Sequence, residues 1–125
     1  MVISTKTDDY PESANVEFGN DGLTLIFDTS TASRKFKNIQ ASPKVSVVIG
    51  WDEHENKTVQ YHGIAEVLAG TELEHLKEVY FAKSPEAQKW ENTQGNVYIK
   101  VSPKWVRMTD LNTDPWTISE FEFWL

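Results

Sequence analysis

Thr29-Ser30-Thr31-Ala32-Ser33-Arg34-Lys35-Phe36-Lys37-Asn38-Ile39 places hydroxyls and cations directly ahead of apolar residues at helical spacing. Thr31 or Ser33 is suited to cap a helix here, because a short side-chain oxygen accepts N–H groups that a first turn leaves without partners. Phe36, Ile39 and Gln40 continue at helical spacing, and Pro43 closes the segment. Arg34 and Lys35 then fall in the first turn, where the helix dipole disfavours a cation by ~0.3–1 kcal/mol. Acidic residues are the usual choice there, and this chain has many: 19 Asp and Glu against 12 Lys and Arg, a net charge of −7. The inverted placement fits a bound anion, held by the helix N–H groups and the two cations together. On chemistry alone two readings of Ser33, Arg34 and Lys35 stand, a phosphate clamp or a solvated basic turn.

Outward from this segment the chain reads as short strands with two helical interruptions. Residues 2–6 start a strand, and Asp8-Asp9-Tyr10-Pro11 is a turn leading into a second strand over 13–18. Gly19-Asn20-Asp21-Gly22 signals a hairpin, with 23–27 returning to pair with 13–18. Beyond the basic helix, Val45, Val47, Ile49 and Trp51 alternate with Ser46, Val48 and Gly50, which predicts a barrel stave with a partly buried second face. Asp52-Glu53-His54-Glu55-Asn56 is a polar loop. Val59, Tyr61, Ala65 and Val67 form a long alternating strand, and Gly63 within it predicts a bulge or a close backbone approach.

Thr71 with Glu74 makes a capping box for a helix whose apolar stripe is Leu73, Leu76, Val79 and Tyr80. Ser84-Pro85-Glu86 restarts a helical turn ending near Trp90. Val97, Ile99 and Val101 alternate up to Pro103, and two last strands are expected around 105–109 and 117–123. About seven or eight short strands at this spacing predict a mainly β barrel or sandwich.

Composition sets independent bounds. A chain of 125 residues with 39% hydrophobic content is expected to form a single domain over 1–125. It contains no cysteine, which excludes disulfides, thiolate chemistry and cysteine-ligated metal, and makes a cytoplasmic location the simplest expectation. No run approaches the roughly 20 apolar residues needed to span a bilayer, and the acidic balance argues against nucleic acid or a membrane as partner. His54, His62 and His75 lack paired ligand spacing, so no metal site is expected. Asp52, Glu53 and Glu55 lack the glycine and terminal glutamate of a calcium loop. Ser33 and Ser46 have no triad or nucleophile elbow, so hydrolysis is disfavoured and no catalytic residue is named. Trp105, Trp116 and Trp124 crowd the C-terminal part, either as core and interface anchors or as walls of an aromatic ligand pocket.

Thr29 to Lys35, with Asn38-Ile39, Ser42-Pro43 and Val45-Ser46-Val47-Val48, resembles the FMN-binding split-barrel proteins of the pyridoxamine 5'-phosphate oxidase-like superfamily, including their small general-stress-protein members. The resemblance extends from residues 2–11 through 58–67 to 101–107. It implies a six-stranded split β-barrel with small helices, and a homodimer binding one flavin in each of two interface clefts. It implies that Ser33, Arg34 and Lys35 bind the FMN phosphate, that Phe27, Asp28 and Thr29 supply strand-end flavin contacts, and that Asn15 and Val16 lie on the strand against the ring. Thr58 stands where the oxidases place a flavin-contacting glutamine, with Gln60 as a substitute two residues on. The implied function is an FMN-dependent oxidoreductase acting on a small-molecule substrate or electron donor. The arginine- and histidine-bearing segment with which true pyridoxamine phosphate oxidases hold substrate is missing; residues 116–125 are acidic and apolar instead. Vitamin B6 oxidation is therefore not expected. The alternative is a non-catalytic, stress-associated protein binding flavin, deazaflavin or haem.

Overall fold

The structure is a computed structural model that describes residues 1–50 and 54–124. The Trp51 end of the expected stave and the Asp52-Glu53 part of the expected polar loop lie outside the described residues. The fold is mainly β, as the strand pattern predicts. Among the described residues eight strands form one antiparallel sheet in the order β2-β1-β5-β6-β7-β4-β3, with β8 added on β7. The resemblance implies six; three-residue β3 (Gly19–Asp21) and the wholly exposed β8 (Thr117–Glu122) each count as a strand through local pairing.

β1 (Val2–Thr5) and β2 (Glu12–Asn15) form a hairpin, its turn fastened by Thr7, whose hydroxyl donates to Tyr10 O at 2.6 Å and accepts from Asp9 N–H at 3.0 Å. The strand expected over 13–18 therefore ends early and pairs with β1, not with the strand that follows. It is β3 that pairs with β4 (Thr24–Ser30), with Asp21 opposite Thr24. The physical reason is the tight loop: Gly22 sits at φ +59°, which sets the register immediately beside the turn.

β5 (Lys44–Ile49) lies between β1 and β6 (Lys57–Val67). Val45 and Val47 are buried, but Ser46 and Val48 are exposed, so the expected partly buried second face is open. Val67 is also exposed, because β5 begins at Lys44 opposite Ile64 and leaves the end of β6 uncovered. The two strands expected around Pro103 are one, β7 (Asn96–Asp110). Trp105 opposes His62 and Pro103 opposes Gly63, leaving Lys104 as the extra residue of a bulge. A proline beside an interrupted ladder is tolerated, which is why Pro103 does not end the strand.

Beyond the bulge β7 changes partners on its outer edge, from β4 over 96–101 to β8 over 105–110. The sheet curls around Ile3, Phe27, Val47, Tyr61, Ile99 and Val106, with Phe36 and Ile39 closing one side. The Tyr61 hydroxyl crosses this interior, 2.6 Å from Leu23 O and 3.1 Å from Val101 O. Burial pushes its pKa up, so it stays a neutral donor. On the other face of β4, Ile26 packs with Leu76, Tyr80 and Tyr98 beneath α2 (Gly70–Lys83). Thr71 is not the cap of α2. Its N-cap is Ala69, without a side-chain bond, and Gly70 at φ +66° makes the turn after Leu68 N–H bonds Tyr98 O, so Thr71 lies inside the helix.

A Cβ at position 63 would meet Val101 Cγ1 at 2.5 Å, Ser102 O at 2.7 Å and Tyr61 Cε1 at 2.7 Å. Gly63→Ala is expected to destabilise the fold by about 1–3 kcal/mol, the usual cost of overpacking, read as a lower urea midpoint.

Candidate functional site

α1 (Arg34–Ala41) starts where β4 stops. Its N-cap is Ser33, in extended conformation, with Oγ accepting from Phe36 N–H at 3.1 Å. Thr29, the last inward-facing residue of β4, is buried, and its Oγ1 lies 2.9 Å from Ser33 Oγ. The helical ladder begins with Lys37 N–H on Ser33 O at 3.3 Å, so the N–H groups of Arg34 and Lys35 precede it. No acidic residue occupies the first turn. Of the two candidate caps, the structure selects Ser33.

Arg34 and Lys35 line a cleft of about 370 Å³ together with Ser13 and Ala14 of β2 and Ile3 and Thr5 of β1. Glu12 also lines it. Its carboxylate pairs with the exposed Arg34 guanidinium and accepts from Asn38 Nδ2 at 2.7 Å; the same Asn38 amide donates to Thr5 Oγ1 at 3.0 Å. The Asn38 hydrogen bond is the largest influence and holds the Glu12 carboxyl below its ordinary range; desolvation opposes it, and the hydrogen bond and charge of Arg34, each smaller, lower it further. Two cations and two N–H groups ahead of the helical ladder fit a phosphate dianion, and Glu12 is the acidic neighbour with which it would share Arg34.

The other residues expected at the site are dispersed. Asp28 faces the opposite side of β4, where its Oδ1 accepts from Tyr80 Oη at 2.7 Å, in a hollow shared with Trp90 and Asn96. The Phe27 side chain is fully buried in the barrel, so only its backbone is available to a ligand. Asn15 is exposed at the end of β2 opposite Val2, and Val16 packs on the barrel core with its N–H on Met1 O at 2.9 Å. Thr58 lies on β6 opposite Thr109 and does not line the α1 cleft.

The sequence profile of the family described as Pyridoxamine 5'-phosphate oxidase matches residues 1–110. The chain belongs to the pyridoxamine 5'-phosphate oxidase-like family. A pyridoxine/pyridoxamine 5'-phosphate oxidase of Rubrobacter xylanophilus is 33% identical over 87 residues, covering 68% of this chain but only 38% of that relative. General Stress Protein 26 of Bacillus anthracis shares the fold with a TM-score of 0.73 at 22% identity, over 98% of this chain and 87% of its own. A haem-binding protein of Mycobacterium smegmatis shares it with a TM-score of 0.79 at 17% identity, over 97% of this chain and 51% of its own. At such identities the two structures speak for the fold of this family member alone.

Sequence reasoning missed Glu12 and Asn38 as neighbours of Arg34, and Tyr80 as the partner of Asp28. Glu12 and Arg34 are 22 positions apart and meet only because β2 folds back beside α1. Pro11-Glu12 after an acidic turn was the sole trace, and it is too common to read. The folded-state pKa of Glu12 is depressed, so its stabilising contribution is complete above the ordinary value of 4.5 and is lost as pH falls through the lowered one. Urea unfolding of Glu12→Gln is expected to lose less stability than the parent over that acid window, with the two curves parallel near neutral pH.

Proposed function

We propose that this chain is an FMN-binding flavoprotein that holds the cofactor phosphate at the start of α1. Ser33 fixes the cap, Arg34 and Lys35 supply the charge, and their two backbone N–H groups supply neutral donors. The observation that carries the reading is a helix N-terminus with two cations and no acid in its first turn, in a chain of net charge −7. Thr29 acts one step back, fixing the Ser33 hydroxyl that caps the turn. Bound flavin supplies hydride or electron transfer, and the activity in this reading is an oxidoreductase on a small substrate. This reading leaves out pyridoxamine phosphate as the substrate, because residues 111–125 carry Glu120 and Glu122 and no lysine or arginine to pair with a second phosphate.

The same reading makes the protein a homodimer. Ile118, Phe121, Trp116 and Trp124 are all exposed on or beside β8, together with Met108 of β7, an apolar concentration that supports a self-contact. Light scattering is expected to give twice the chain mass at micromolar concentration, and a monomer mass there overturns the dimer.

Haem is the second reading, favoured by the haem-binding protein of M. smegmatis that shares the fold. It asks for an axial ligand, and His75 is held by Asp21 at 3.1 Å while His62 rests 4.6 Å from the Trp105 ring. The visible spectrum after reconstitution separates the two, with a flavin expected. Arg34→Ala with Lys35→Ala is expected to weaken FMN binding about 100-fold or more, since each charge-assisted bond is worth ~1.5–3 kcal/mol. Flavin fluorescence quenched equally by that variant and the parent refutes the clamp.

A further inference from the structure

A cavity larger than the α1 cleft lies elsewhere on the sheet. It has a volume of about 630 Å³ and opens where β1, β5 and β6 meet the turn after β1. It shares only Thr5 with the α1 cleft. Pro11, Val45 and Ile64 give it apolar walls, and Lys6, Lys44 and Lys104 stand around it. Its size falls within the range of small-molecule sites, about 300–1,000 Å³.

The charge placement is the informative part. Arg34, Lys77, Lys89, Lys100 and Arg107 each lie within ion-pair distance of a carboxylate, as an acidic chain makes easy. Seven cations have no ion pair among the described residues, and three of them, Lys6, Lys44 and Lys104, gather on this one cavity, while Lys35, Lys37, Lys57 and Lys83 lie elsewhere. Asp9 is its single acidic lining residue. Lys104 is there for a structural reason: it is the extra residue of the β7 bulge, and the glycine on the other side of that register shift, Gly63, lines the same cavity. Bulges commonly re-aim a side chain toward a site. Three cations left without carboxylates around an apolar hollow make an attractive field for one anionic head, with the walls left to take its hydrocarbon body.

We propose that this cavity is a second ligand site, separate from the α1 cleft, for a small organic anion with an apolar body. The probe is 8-anilino-1-naphthalenesulfonate, compared with the uncharged N-phenyl-1-naphthylamine, which carries the same rings without the sulfonate. The anion is expected to bind at least about tenfold tighter than the neutral compound. K6Q/K44Q/K104Q is expected to remove that preference while leaving the far-ultraviolet circular dichroism and the neutral compound's affinity unchanged. Arg34→Ala with Lys35→Ala is expected to change neither. Equal binding of the two probes, an unaltered preference in the triple lysine variant, or loss of the preference in Trp116→Ser with Phe121→Ser overturns the proposal; the last would place the probe on the apolar surface beside β8. Because the α1 variant is measured alongside, failure of this site and failure of the phosphate clamp are read separately.

Discussion

At Gly63 the backbone of β6 runs so close to Ser102 O and the Val101 side chain that a single methyl group has no room. That close approach, with Lys104 squeezed out as the surplus residue, bends β7 and lets its two halves take different neighbours, β4 on one side of the bend and β8 on the other. Without the bend the sheet would lie open. With it, Tyr61 reaches across the interior to the Leu23 carbonyl, and thirteen buried side chains among the described residues share one core. Everything the molecule presents to a ligand is hung on this curl.

The α1 cleft is one consequence. β4 ends with Thr29 facing inward, so the cap of the next helix is built against the barrel and its first-turn N–H groups are left at the cleft mouth. Because β2 folds back on β1, Glu12 arrives beside Arg34 and gives the cation a resting partner. An exposed ion pair of this kind is weak, since solvent screens it and holding the long, exposed Arg34 side chain in one geometry costs entropy. A phosphate dianion at the same place, supported by backbone donors as well, can compete for Arg34 on better terms. The Asn38 amide keeps Glu12 in position through a bond that does not depend on Arg34.

Strand alternation explains why residues adjacent in the chain part company. On β4, Phe27 and Thr29 face the barrel while Ile26 and Asp28 face α2, where Tyr80 takes the Asp28 carboxylate. Burial, together with the neighbouring Asp28 and Glu91 charges, pushes the Tyr98 hydroxyl up to about 12, so it stays protonated at ordinary pH. A row of neighbouring letters was thus divided between two different environments.

The mainly β architecture, the helix opening at Arg34, the bulge at Gly63 and the family were legible from the sequence, because each rests on local rules: period-two alternation, capping chemistry, a glycine inside a strand, and a short motif with a fixed order of residue types. The pairing of 13–18, the break at Pro103 and the Thr71 cap were misread, because pairing and helix starts are set by which backbone is nearest in space, and a local signal names several acceptable partners. Only the tertiary structure decided that Glu12 pairs with Arg34, that Asp28 turns away from the start of α1, and that Lys6, Lys44 and Lys104, 98 positions from first to last, surround one hollow. Charges scattered along a chain have no meeting place until the sheet curls and gives them one.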